Sequence, residues 1–313
     1  MSPTFPRLIR PGLHLTPFLA GELASALSLA IERFQLQGLT VRDIGRLHAA
    51  VAQLRKVEVR NSLGTDPADL KATALASALA SDFHLIADTL QDYRQDPITK
   101  DIKVALGGTL SGDDPDSEPY EYQSQYWVGV LLTQAGLKPG VLDWETRRPD
   151  FVVRVHDMPC GVEAKRPRNL EAAKRLMKHA TTQLTAANVP GVIAVDLSAV
   201  IDTNSYILPR PGRHARTEIR RLQSELATAL ADFIRHYPRP EKFGHLMSLV
   251  TFARFQVFTT LTPPLTDSGF VFSINRFDTA YHGQVVRYAD EFEERLQAGM
   301  ARISNNPVQI ERT

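Results

Sequence analysis

Between residues 16 and 95 apolar side chains recur at every third or fourth position, which predicts helix throughout this stretch. Thr16-Pro17 reads as an N-cap followed by proline at the first helical position, opening PFLAGELASALSLAI. Thr40 caps VRDIGRLHAAVAQLR, with Asp43 at the third helical position and Leu39 and Ile44 spaced for a hydrophobic staple. Asp66-Pro67 starts a third helix, DPADLKATALASALASDFHLIADTLQDYR, whose alanines permit close packing. The periodicity stops at LGGTLSGDDPDSEP, where Gly, Ser, Asp and Pro predict a linker. The expected organisation is a helical region over 1–105, a linker over 106–119 and a second region over 120–313.

Beyond the linker the period alternates between helix and strand. YEYQSQYWVGVLLTQAGL repeats apolar residues at Tyr126, Val130, Leu131 and Ala135, and Gly136 marks its end. Trp127 on this helix reads as core. DFVVRVH and GVEAKR are β-branched and short, so they predict two strands, with DMPC and its Cys160 as the turn between them. LEAAKRLMKHATTQL is helical through Leu170, Ala173, Leu176, Met177, Ala180 and Leu184, and GVIAVDLS is a continuous apolar strand. TEIRRLQSELATALADFIRHY and YADEFEERLQAGMARI predict helices around two strands, LVTFARFQVFT and FVFSINRF. The order helix, hairpin, helix, strand over 120–198 predicts an α/β (α+β) fold. Its mixed central sheet is flanked by helices, and the second helix can serve as a right-handed crossover.

Composition narrows the chemistry. The chain has 313 residues and a formal net charge of +1, so a surface for nucleic acid must be local. Cys160 is the single cysteine, which excludes an internal disulfide and multi-cysteine zinc patterns and suits a reducing cytosol. The histidines show no zinc spacing, and neither a Gly-x-Ser-x-Gly elbow nor a Walker loop is present. No uninterrupted apolar run reaches ~18 residues, so no membrane span is expected. Arg7 and Arg10 precede an apolar stretch, but Glu22 in its middle favours an amphipathic helix over a signal peptide. The expected compartment is the cytoplasm.

One stretch, RRPDFVVRVHDMPCGVEAKRPRN, carries candidate chemistry. Alternation along a strand puts Glu163 and Lys165 on one face. Asp150 opens the preceding strand, so a hairpin brings it to the same end as Glu163. Two carboxylates, the Ala164 carbonyl and waters suit Mg²⁺, a hard cation that takes oxygen ligands near ~2.1 Å. Lys165 on the same face can orient or deprotonate an attacking water and steady charge on a phosphoryl transition state. Of two other acid-x-Lys triplets, Asp69-Leu70-Lys71 lies at the start of a capped helix, where i and i+2 do not share a face, and Asp101-Ile102-Lys103 lacks a Pro-Asp partner at hairpin distance. Asp143 and Glu145 precede the hairpin as spare acids or exposed loop charges.

With these residues in place, 121–198 resembles the PD-(D/E)xK nuclease superfamily, the restriction-endonuclease-like fold. Pro149-Asp150 is similar to the family's second motif and Glu163-Ala164-Lys165 to its third. The resemblance implies further roles for Gln183, beside the active site on the crossover helix, and for an acid on the leading helix. There Gln125 stands where glutamate is often seen, and Glu121 lies one turn earlier on the same face. The implied activity is Mg²⁺-dependent hydrolysis of phosphodiesters, in DNA before RNA, with Mn²⁺ able to substitute. Asp150, Glu163 and Ala164 would hold the metal, and Asp150, Glu163, Lys165, Glu121 and Gln183 would form the catalytic set.

Nucleic acid needs cations, and two basic groups are local. The first is Lys165, Arg166, Arg168, Lys174, Arg175 and Lys178; the second is Arg210, Arg213, His214, Arg216, Arg220 and Arg221. Arg166, Arg168, Arg210, Arg213, Arg216 and Arg220 are the expected phosphate contacts. Tyr206 is a candidate for base stacking, though core packing is the plainer reading. Two alternatives stay open: a catalytically inactive module of the same fold that binds nucleic acid or a protein partner, and an interaction protein whose helical region does the work. Assembly with a second copy is also open.

Overall fold

The structure is a computed structural model that describes residues 7–9, 16–90, 98–108, 110, 118–139, 149–200, 206–208, 213–235, 246–259, 261–262, 264–276 and 284–305. Three helices come early: α1 (Ala20–Leu36), α2 (Gly45–Arg60) and α3 (Pro67–Leu90). Two short strands precede them, β1 (Arg7–Ile9) and β2 (Thr16–Pro17). Thr16-Pro17 is therefore strand, not a helix cap: it pairs with Thr266 and Leu265, and α1 begins three residues later without a side-chain cap. A ladder partner from the far end of the chain outweighs the local capping signal. Thr40 donates from both its backbone N–H and its hydroxyl to Asp43 at 2.8 Å, but the helix proper starts at Gly45. Asp66 accepts from the Asp69 N–H at 3.2 Å just before α3 continues, as its capping role requires.

A fourth helix, α4 (Ile98–Leu106), falls almost wholly within the helical region expected over 1–105, though no individual helix was read there. The linker predicted over 106–119 lies largely outside the described residues. The next helix, α5 (Glu118–Gln134), ends as its glycine dictates. Gly136 sits at φ 72°, its N–H reaches the Thr133 carbonyl, and the Leu137 N–H reaches the Leu132 carbonyl.

The remaining elements alternate: β3 (Phe151–Val155), β4 (Met158–Lys165), α6 (Leu170–Ala187), β5 (Gly191–Asp196), β6 (Tyr206–Leu208), α7 (Arg213–Arg235), β7 (Leu246–Thr259), β8 (Leu265–Arg276) and α8 (Gln284–Asn305). The fold is α+β, with one mixed sheet in the order β1-β8-β7-β5-β4-β3. The pairs β4/β5, β5/β7 and β6/β7 are parallel, and the rest are antiparallel. The 14-residue β7 is long enough to serve β5 with its first half and β6 with its last three residues.

Alternation splits the sheet's two faces. Val192 and Ala194 of β5 join a core built with α1–α5 and α8 that includes Phe34, Phe83, Trp127 and Phe252. Ile193 and Val195 join a second core with Met177 and Leu184 of α6 and Leu226 and Leu230 of α7. Trp127 is core, stacked on Phe252 with ring centroids 4.9 Å apart. Among the described residues no helix is long and apolar enough to cross a membrane.

Gly299 of α8 lies tight against the backbone at the end of α5. A Cβ on Gly299 would stand 2.7 Å from the Ala135 backbone nitrogen and 2.9 Å from its Cα. Helix propensity favours alanine over glycine by about 1 kcal/mol, whereas overpacking against backbone costs about 1–3 kcal/mol. The clash wins, so Gly299→Ala is expected to lower the urea midpoint. A raised midpoint would show that the two helices are not in contact there.

Candidate active site

The β3–β4 hairpin sets the geometry. Phe151 pairs with Val162 and Val155 with Met158, so the reversal takes two residues, His156 and Asp157, and His156 turns it from the left-handed region at φ 52°. The expected turn at DMPC is thereby corrected: Met158, Pro159 and Cys160 are strand residues. Pro159 is tolerated because β5 pairing begins only at Gly161, so no ladder bond is lost. Cys160 is fully buried in β4, and burial pushes its thiol up to about 12, far from a reactive thiolate.

Continued past Phe151–Val162, the register puts Asp150 opposite Glu163 and Pro149 opposite Ala164. Side chains fill this end of the ladder. The Ala164 N–H donates to Asp150 Oδ2 at 2.7 Å, and the Asp150 N–H donates to Glu163 Oε2 at 3.1 Å. The N–H and C=O of a strand residue point to the same side, so the Ala164 carbonyl also faces the β3 edge. Pro149 there has no N–H to offer it. Lys165 Nζ donates to Glu163 Oε1 and lies 4.0 Å from Asp150 Oδ2. The three polar tips thus meet as the sequence predicted. Glu163 and Lys165 share the face of their parallel neighbours Ile193 and Val195, beneath α6.

The site's charges do not balance. Glu163 is 0% exposed, Asp150 9% and Lys165 14%. Burial and the neighbouring Asp150 charge push the Glu163 carboxyl up to about 8, despite Lys165. Burial likewise raises Asp150, against the pull of Lys165, the Ala164 N–H and a hydrogen bond from Gln125. Burial alone would lower Lys165, but Asp150 and Glu163 more than reverse that and hold it above the usual lysine range. Two carboxylates therefore face one ammonium.

That donor set fits a hard divalent cation. It offers two carboxylates short of positive charge and a carbonyl without a ladder partner. Among the described residues no three or more His, Cys, Asp or Glu side chains gather as a metal cage, so any such site rests on Asp150, Glu163 and the Ala164 carbonyl.

The helices complete the surroundings. Buried Gln125 of α5 is the residue that bonds Asp150, whereas Glu121, one turn earlier and exposed, acts on Lys165 through its charge. Gln183 of α6 is half-buried, with an Oε1 that is sealed from water and has no hydrogen-bond partner. His179, one turn before it and exposed, was missed by the sequence reading; its charge bears on Asp150.

The expected phosphate contacts divide. Arg168 is exposed. Arg166 is not: its guanidinium is 10% exposed, 3.7 Å from Asp196 and 5.0 Å from the Tyr120 ring centroid. Alternation puts it on the opposite face from Lys165, so its role as a phosphate contact is corrected to one inside the protein. Arg210 and the side chains of Arg213, His214, Arg216 and Tyr206 lie outside the described residues, as do Asp143 and Glu145. Arg220 is exposed, and Arg221 is bridged to Glu218 and Glu225.

Arg166 belongs to a buried network that the sequence did not reveal. Asp196 at the end of β5 accepts from Arg254 Nη2 at 2.8 Å, from the Ser124 hydroxyl at 2.9 Å and from the Ser198 N–H. Arg254 also pairs with Asp82 of α3, which accepts from Gln123. Arg46 of α2 donates to Gln123 and to the Ala105 carbonyl, with Tyr120 stacked between it and Arg166. The available signal was a lone charge inside otherwise apolar runs, Asp196 in GVIAVDLS and Arg254 in LVTFARFQVFT. Comparison of the chain with protein-family models, with curated proteins and with solved structures finds no match.

A carboxyl that holds its proton more tightly when folded stabilises the fold while protonated. That stability is lost as pH rises from the ordinary carboxylate range through about 8 for Glu163. Each pK unit is worth about 1.4 kcal/mol. The metal-free protein is therefore expected to melt at progressively lower temperature between pH 5 and 8, roughly the span between the two carboxyl pK values. Glu163→Gln should flatten that slope; an equally steep slope in the variant would place the titration elsewhere.

Proposed function

We propose that the chain is a divalent-metal-dependent nuclease of the restriction-endonuclease-like type, cleaving phosphodiester bonds in DNA. The observation that carries this reading is the meeting of Asp150, Glu163 and Lys165 at the end of one hairpin, with the carboxylates in excess. The order of elements from α5 to β5 and the position of Gln183 on α6 support the same reading.

Asp150, Glu163 and the Ala164 carbonyl would hold the cation. A cation bound there supplies polarisation of a phosphoryl oxygen and a more acidic water. Lys165 enters protonated, kept so by the two carboxylates, and acts as a donor to charge that develops on the phosphoryl oxygens. Gln125 fixes the Asp150 carboxylate by its hydrogen bond, and Glu121 adds negative charge near Lys165. Gln183 of α6 orients the site through its side-chain amide.

One observation favours a second reading, a metal-poor binding module of the same fold: the residue touching Asp150 from α5 is a neutral amide, not a carboxylate. Cleavage of plasmid DNA with Mg²⁺, paired with Mn²⁺ titration calorimetry, separates the two. The nuclease reading expects Mn²⁺ binding and cleavage in the unaltered protein. Lys165→Ala should lose about 10²–10³-fold in rate while keeping the metal. Unchanged cleavage by that variant removes its role, and no Mn²⁺ binding at millimolar concentration leaves only the binding module.

A further inference from the structure

The rim of the candidate site is electrically lopsided. On the α5 side the exposed residues Glu118 and Glu121 are acidic. On the α6 side the group that acts on Asp150 is His179, and the outward surface of that helix carries Lys174, Arg175 and Lys178, all exposed. Arg168 is exposed just ahead of the helix, whose start is fixed by the Asn169 side chain accepting from the Ala172 N–H at 2.8 Å. At 100° per residue these cations spread over roughly a third of the helix circumference, opposite the buried Ala173, Met177, Ala180 and Leu184. Glu171 is the acid on the same helix.

A polyanion lying beside the site is repelled at the exposed acids of α5 and drawn to the outward flank of α6. The helix α7 is a weaker competitor among the described residues. Its Arg221 is tied to Glu218 at 2.7 Å and lies 3.6 Å from Glu225, so its charge is already answered.

We propose that the exposed face of α6, with Arg168, Lys174, Arg175, Lys178 and His179, is the surface that holds the DNA backbone flanking the candidate site. The proposal rests on the nuclease reading for its substrate, but its test does not rest on cleavage. The contacts are to phosphates, so they position the duplex and do not read its sequence. Each neutralised phosphate contributes about −0.9 to the slope of log affinity against log salt.

The test is fluorescence anisotropy of a labelled short DNA duplex in EDTA over a salt series. Lys174→Ala, Arg175→Ala and Lys178→Ala combined are expected to make the slope shallower by about 2.7 and to weaken binding at least about tenfold at low salt. Arg55→Ala, on α2 and bridged to Glu58 at 2.7 Å, should leave both quantities unchanged. These are exposed side chains, and melting of each variant checks that the fold survives. An unchanged slope in the α6 variant, loss of binding in the α2 variant, or no duplex binding by the unaltered chain overturns the proposal. Binding through α6 without Mg²⁺-dependent cleavage would instead sink the nuclease reading alone. Cleavage with normal binding by the α6 variant would sink the surface alone.

Discussion

Two carboxylates buried within reach of one lysine constrain everything around them. At an effective dielectric near 20, like charges about 4 Å apart repel by about 4 kcal/mol. That is a large share of the about 5–15 kcal/mol that holds a typical domain together. The hairpin register leaves no escape, because Asp150 and Glu163 are fixed by each other's strand and not by flexible loops. The chain keeps this arrangement either by retaining a proton on the pair or by accepting a cation. Pro149 adds to it by denying the Ala164 carbonyl its ladder partner.

The arrangement holds because a second set of charges braces it from behind. Asp196 ties α5 through Ser124, β7 through Arg254 and β4 through Arg166. Ser124 precedes Gln125, which bonds Asp150, and Arg166 follows Lys165. The network therefore holds the immediate sequence neighbours of two site residues. Its other end reaches Asp82 and Arg46, so the early helices brace the same strands. Buried pairs of this kind contribute little net stability, yet removing one partner costs about 3–5 kcal/mol. They act by fixing one arrangement of the chain.

Much of the site was legible because its signals are local. Period-two alternation put Glu163 and Lys165 on one face, and a short reversal brought Asp150 opposite. Glycine at 136 marked a helix end through capping physics. What stayed hidden depends on contacts distant in sequence. Thr16-Pro17 looked like a helix start because nothing local reveals Thr266 and Leu265 as its ladder partners. Arg166 looked like a surface cation because its burial depends on Asp196 and Tyr120, thirty and forty-six residues away. His156 gave no turn signal, since two-residue reversals are usually marked by Asn-Gly or Asp-Gly and this one is His156-Asp157.

The most direct test of the charge imbalance is a crystal soaked in Mn²⁺ and measured at the manganese absorption edge. The account expects one anomalous peak between the Asp150 and Glu163 carboxylates, within coordination distance of the Ala164 carbonyl. The absence of a peak there, with both side chains ordered as described, would contradict it.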